Sequence, residues 1–339
     1  MAQEIGQTFI QWSQPYVNDN GSLSSVGISD GGTVLEVHNG PAGNDGMYYR
    51  LGRYTTAPSP DLSSCIAWQP VYPNGIGDGN PISADVNDNF AVQVYQDSDK
   101  NLFFQWAALP ANAEGQLSWT AGQNYTSGEQ PAIAMNNRSQ VVAVHQDSSI
   151  VSFTLWYATG AAGASMGGAA EILQPDGSSI TGDFIQVAIN AQGTVVLAYR
   201  GDFLPKTDLA QLSLIAGTIQ PNGSIVFGFE FASTVLVNGG FDIALDDEGH
   251  LLVLCATSAI GKDYLGWIAG TVENNTVTLP AQLPWPLLFS TFDGDNVTMA
   301  MNNSGNLVAE TGAEGGPPPP FQYFVGQAFF NADYSHWMG

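Results

Sequence analysis

The 339-residue chain has little positive charge: 7 Lys and Arg stand against 31 Asp and Glu, a formal net charge of −24. A surface of that sign repels phosphate backbones and anionic membranes, so nucleic acid is excluded as a natural partner. Cysteine is nearly absent as well. Cys65 and Cys255 lie far apart, and two cysteines do not make a disulfide framework. Cys255 ends the apolar run Leu251-Leu252-Val253-Leu254 and is expected as a buried thiol. No apolar stretch approaches the ~20 residues of a membrane span, so no membrane insertion is expected. The N-terminal residues MAQEIGQTF carry neither a basic segment nor an apolar core. No secretory signal is therefore read, and the expectation is a cytoplasmic protein or one released by a non-classical route. Helical periodicity is missing throughout.

What is present is 44% hydrophobic residues, enough for a large core, and only 11% charged ones. The polar surface must then come from Asn, Gln, Ser, Thr and Gly. The chain also repeats one phrase six times: apolar-Ala-apolar-Asn-x-x-Gly, followed by a β-rich run. Ile28, Val86, Met135, Ile189, Leu245 and Met301 occupy one column of it, at steps of 58, 49, 54, 56 and 56 residues. Periods of this size mark repeat architectures.

Each repeat reads as four short strands. The first precedes an Asn or Asp turn, whose residues suit positive φ and hairpins. The second runs Thr33 to His38, Ala91 to Tyr95, Gln140 to His145, Thr194 to Tyr199, His250 to Cys255 and Asn306 to Thr311. The third is aromatic-rich and carries a Gly/Ala column (Gly52, Ala107, Ala158, Gly217, Gly270, Gly326), which suggests close sheet approach near the narrow inner part of a ring. The fourth reads apolar-x-Trp, as in Ile66-Ala67-Trp68 and Leu117-Ser118-Trp119. Trp12, Trp68 and Trp119 share that column and are expected to pack between sheets.

The two ends complete each other. Phe9-Ile10-Gln11-Trp12 matches the fourth strand, while the last repeat runs out after its third, near Phe329-Phe330. An N-terminal strand that completes the last unit closes a ring and removes an open edge. The expected fold is all-β: one six-bladed β-propeller over residues 1–339, with four-stranded antiparallel blades.

Several motifs are weak out of context. Gly163-Ala164-Ser165-Met166-Gly167 matches the nucleophile elbow of serine hydrolases, but that motif needs a strand-turn-helix setting. Arg200-Gly201-Asp202 spells an adhesion tripeptide in an expected hairpin loop, Arg200 to Asp208. Pro317 to Pro320 reads as a stiff polyproline spacer. His38, His145, His250 and His336 lack metal-ligand spacing. Asp246-Asp247-Glu248-Gly249 and Asp97-Ser98-Asp99 could offer oxygens to calcium without the spacing of a dedicated loop. No cofactor is expected, with calcium as a weak possibility.

Binding candidates were sought where the scaffold stops repeating. The second strand ends at His38, Tyr95, His145 and Tyr199 in the first four repeats, but at Cys255 and Thr311 in the last two. Asn39, Gln96, Gln146 and Arg200 follow, and Asp45, Asp97, Asp147 and Asp202 come next. A ring beside a planar amide and a carboxylate suits a sugar: the ring covers its C–H face and the polar groups take its hydroxyls. The alternative is that this column caps the strands.

In layout the chain resembles bacterial and fungal lectin propellers: six short-period sheet repeats, an N-terminal closing strand and no signal peptide. The resemblance covers the whole length but rests on no shared motif. It implies a multivalent carbohydrate-binding protein without catalysis, its partners glycans or glycoproteins. Two other readings stay open. One is a protein-interaction platform. The other is a glycan-active hydrolase or lyase at a central channel, with carboxylates around Asp30, Asp85 and Asp242; Asp30 lies in the turn and does not align with the others. A sialidase, also a six-bladed propeller, is disfavoured because Arg50, Arg53, Arg138 and Arg200 fall in different repeats and mostly different columns. Oligomeric state is not legible.

Overall fold

The computed structural model describes residues 8–13, 16–20, 22–40, 46–55, 65–76, 81–111, 114–148, 153–203, 209–237, 239–259, 262–280, 285–286, 296–312 and 320–330. These residues form six antiparallel sheets and no helix longer than an isolated turn. The sheets are the six blades of a β-propeller. Their inner strands are Ser22–Ile28, Ile82–Val86, Glu129–Met135, Asp183–Ile189, Phe241–Leu245 and Asn296–Met301. Each packs against the inner strand of the next blade, and the last packs against the first.

Ring closure follows the sequence reading. Phe9–Trp12 pairs antiparallel with Pro320–Phe329, from Phe9 opposite Phe329 to Trp12 opposite Gly326. Four blades carry a further short strand on the flank of the third, such as Tyr72–Pro73 beside Met47–Tyr54. Blade 2 departs from expectation. Its outer strand is Gln123–Ser127, not Leu117 to Trp119. It pairs with Asn101 to Phe104, with a register shift between Leu102 and Phe103, and the earlier segment is tied to the third strand at Thr120, whose N–H donates to the Trp106 carbonyl.

The core is divided into six clusters, each lying between two neighbouring blades. The second strands supply both faces. In Thr33–Asn39 every residue is buried; Val34 packs toward blade 6, while Leu35 and Val37 pack toward blade 2. Strands covered on both faces must be apolar on both, which explains runs such as Leu251 to Leu254. The tryptophans lie as expected: Trp68 meets Tyr323 of blade 6 edge-on, and Trp119 meets Tyr49 of blade 1. Cys65 and Cys255 are both buried.

The third-strand glycines answer a different need from the one expected. A Cβ on Gly217 would come within 2.7 Å of Ile225 Cγ2 and 2.8 Å of Phe227. The crowding comes from the outer strand of the same blade, not from the narrow centre of the ring.

Candidate functional site

The inner strands enclose an axial channel, and its two ends differ. At the turn end, the repeated Asn does two jobs. Asn136 Oδ1 accepts the backbone N–H groups of Arg138 and Gln140, capping its own hairpin. Its Nδ2 donates to the carbonyl of Asn190, the same column one blade on. Asn87 reaches Asn136 in this way, Asn190 reaches Asp246, and Asn302 reaches Ser29. Ser29 and Asp246 lack an amide, so the chain of stitches breaks at those two blades. A second tier lies beside the first. Asp30 accepts from Asn303 through both N–H and Nδ2, and from Asn137 Nδ2 across the ring. Asp247 accepts from Ala191 N–H and Asn303 Nδ2. Asp30 therefore belongs to a polar tier that links the turns and lines this end of the channel.

Between the ends, a narrow cavity of about 100 Å³ runs along the inner strands and includes Asp85 and Asp242. Both carboxyls are half-buried, and the loss of water around them pushes each up to about 7; the Asp85 charge adds to the effect on Asp242. Backbone amides oppose the shift. Asp85 accepts from Val86 and Met135, each at 2.7 Å, and Asp242 accepts from Ile243 and Met299, each at 2.8 Å. Burial outweighs them because removing a carboxylate from water costs more than two amide donors return. Each carboxylate also stitches its blade to the next; the Ser25 and Thr298 hydroxyls do the same at contacts with no carboxylate, and Ser83 works beside Asp85 between blades 2 and 3.

At the far end, where the inner strands begin, the channel widens to a cavity of about 250 Å³. Its wall is asymmetric. The inner strands of blades 1, 3 and 4 start with a β-bulge, seen as an extra residue between Ser22 and Ser25, Glu129 and Ala132, and Asp183 and Gln186. Leu23 (φ 52°), Gln130 (φ 52°) and Phe184 (φ 49°) take the left-handed conformation there. That conformation is costly for any side chain, most of all for a bulky one. The bulged pairs Leu23-Ser24, Gln130-Pro131 and Phe184-Ile185 all line the cavity, and Asp242 lines both it and the narrow part.

The sequence candidates flank this end without opening onto it. The rings of His38 (2% exposed), Tyr95 (8%), His145 (1%) and Tyr199 (0%) are buried. His145 lies close over Gly128, and Tyr199 over Gly182, each glycine preceding a bulge. Tyr95 stacks on Phe103, and His38 stacks on Tyr48. Burial holds His145 neutral, with its pKa near 4. Of the amides, Asn39 and Gln146 are buried and Gln96 is half-buried. Asp97 accepts N–H groups from Asp99 and Asn101 and the Asn101 amide, a turn cap that holds its carboxyl below the usual range. Asp147 is half-buried, and its N–H donates to the Thr154 carbonyl. Arg200 lies within the strand Thr194–Phe203, not in a loop. Its guanidinium makes a bidentate pair with Asp183 (both 2.8 Å) and lies against one face of the Phe184 ring. Asp45, the Asp202 side chain and Pro317 to Pro319 lie outside the described residues.

His38 belongs to a buried charge cluster at the closing seam. Its Nδ1 lies 2.6 Å from Glu36, which also accepts from Arg50 Nε at 2.9 Å, while Arg50 covers Trp68. Glu310 approaches from blade 6; burial and the Glu36 charge push it up to about 8. Burial also opposes ionisation of Glu36, but His38 and Arg50 hold it below the usual range.

The remaining motifs settle into turns. Gly163 has positive φ in a tight turn after Leu155–Ala161, with no helix following. Asp246 caps its own turn and holds His250 Nδ1 at 2.7 Å. Among the described residues, no three or more His, Cys, Asp or Glu gather as a metal cluster.

No family model and no curated relative matches the chain. Solved structures do. The α-L-arabinanase of Penicillium chrysogenum, complexed with arabinobiose, is 9% identical over 93% of this chain and 98% of its own, with a TM-score of 0.58. An α-L-arabinofuranosidase of Fusarium graminearum is 9% identical over 92% and 97%, with a TM-score of 0.57. A sialidase of Streptococcus pneumoniae is 6% identical over 93% and 70%, with a TM-score of 0.59. The shared feature is the propeller. These neighbours are glycan-cleaving enzymes, and that overturns the expectation of a multivalent lectin without catalysis. The burial of the four rings agrees with the correction, since a covered ring cannot receive a sugar face.

Proposed function

We propose that the chain is a glycan-active hydrolase whose reaction takes place in the axial cavity. The carrying observation is the pair Asp85 and Asp242, two half-buried carboxyls from blades 2 and 5 that line one cavity, with the Asp85 charge raising Asp242. Glycoside hydrolysis commonly needs one carboxylic acid to protonate the leaving oxygen and one carboxylate to act as base or nucleophile. Two interacting carboxyls shed their protons in separate steps, so between those steps one is an acid while its partner is ionised. Carboxyls raised to about 7 place that interval near neutral pH. Asp242, which also lines the wide mouth, is the group an entering glycan meets first. The fold likeness to an arabinanase and an arabinofuranosidase supports glycans as the substrate class.

The test is release of reducing ends from a panel of arabinan, xylan and aryl pentosides and hexosides. The wild type is expected to turn over at least one member, with a bell-shaped pH profile, and Asp242→Asn to lose about a thousandfold in rate. Absence of turnover across the panel would overturn the proposal.

A further inference from the structure

The wide mouth holds an aromatic residue in a backbone conformation that its side chain disfavours. Phe184 sits at a bulge in a left-handed conformation that a phenylalanine rarely adopts. Strained residues persist only where their surroundings over-determine them, and such strain concentrates at functional sites. Phe184 is fixed three ways. Its N–H donates to Gln130 Oε1 of blade 3 at 2.8 Å. The Arg200 guanidinium lies 3.9 Å from the ring centroid and is itself clamped by Asp183. One side of the ring leans on the core between blades 4 and 5. Phe184 is half-buried and lines the cavity, together with Gln130, Gln186 and Asp242. Gln130 spends its Oε1 on Phe184, so its Nε2 is left to donate.

We infer that Phe184 and Gln130 form a sugar-binding subsite of the mouth. The Phe184 ring supplies the apolar wall for the C–H face of an uncharged sugar unit, and Gln130 Nε2 donates to one of its hydroxyls. This rests on the glycan-hydrolase reading. Pairing Arg200 with Asp183 neutralises the nearby guanidinium, so the wall offers this unit apolar surface and amides rather than a cation. The bulge makes the site: without the extra residue, the side chain at this position would follow the strand's alternation and turn to the other face.

Binding separates the two ideas. Arabinobiose and xylotriose are titrated by calorimetry into Asp242→Asn protein, which cannot turn over, and into the same protein carrying Phe184→Gly, Phe184→Leu or Gln130→Ala. Glycine accepts the left-handed backbone, so Phe184→Gly removes the ring without strain. The expected result is about tenfold weaker binding with Phe184→Gly, partial recovery with Phe184→Leu and a few-fold loss with Gln130→Ala. In the catalytic background KM rises more than kcat falls. Unchanged affinity in Phe184→Gly overturns the subsite even if the wild type hydrolyses glycans. Phe184-dependent binding without turnover upholds the subsite and overturns the hydrolase. Failure of the parent to bind either sugar overturns the subsite.

Discussion

The two ends of the axial channel are built by opposite rules. At the turn end the repeat is obeyed in four blades of six: Asn87, Asn136, Asn190 and Asn302 each reach the next blade's carbonyl, and the Asp30, Asp247 and Asn303 tier links the turns beside them. At the mouth it is broken: three blades bulge and three do not, and a cavity of about 250 Å³ remains. Repetition gives every blade the same neighbour and closes the ring. Departure from repetition leaves room for something that is not protein.

Four experiments sharpen or break this contrast. The largest effect belongs to the carboxyl pair. Asp242→Asn is expected to lower glycan hydrolysis about a thousandfold while far-ultraviolet dichroism stays β-rich; retained rate would move the chemistry away from this cavity. Next comes Asn136→Ala. It removes two turn-capping acceptor bonds and the inter-blade bond to the Asn190 carbonyl, which keeps only the Gly193 N–H of its own turn. Such losses together cost about 2–4 kcal/mol, seen as a lower urea midpoint, while KM for any glycan substrate stays unchanged. A shift in KM would mean that the ends are coupled.

The third is pH. Asp85 and Asp242 are raised to about 7, and Glu310 to about 8. The folded protein thus holds protons that the unfolded chain has already released above pH ~4.5. More protons bound in the folded state means that stability falls as pH rises, by up to about 1.4 kcal/mol per unit for each group until it ionises. His145, lowered to about 4, acts oppositely but only below pH ~6.5, its unfolded value. Tm is therefore expected to drop by several degrees from pH 6 to pH 8.5. The drop should persist in 0.5 M NaCl, which screens the surface charge but not these desolvated groups. A flat profile would mean that the three carboxyls are ionised in the folded state. The smallest effect is Leu23→Gly. Relief of the left-handed strain offsets the lost side chain, so stability stays level or rises by up to about 1 kcal/mol. A loss above ~2 kcal/mol in chemical denaturation would show that this bulge is unstrained.

Much of the fold was legible because the sequence states it six times. The Asn turns, the aromatic third strands and the match of Phe9-Ile10-Gln11-Trp12 to the missing outer strand are local signals that any reader of the chain can align. The site was less legible. Asp85 and Asp242 were visible as inner-strand carboxylates, but they stand at different columns, one residue before Val86 and three before Leu245, so alignment alone did not pair them. The ring column at His38, Tyr95, His145 and Tyr199 misled because a ring at a strand end looks the same in sequence whether it faces water or a glycine. Gly128 and Gly182 were the missed clue, each placed ahead of the bulge and beneath a ring. Phe184, Gln130 and Asp183 gave no motif at all.

By itself, the sequence determined the repeat number, the hairpin turns, the closing strand and the sign of the surface charge, since these depend on residue type and spacing along the chain. Only the tertiary structure decided which polar groups are spent on joining blades and which remain to line the mouth. The same Asp or Asn can cap a turn, stitch two blades or face a cavity, and the choice is made by partners about 50 or more residues away, such as Met135 for Asp85 and Met299 for Asp242.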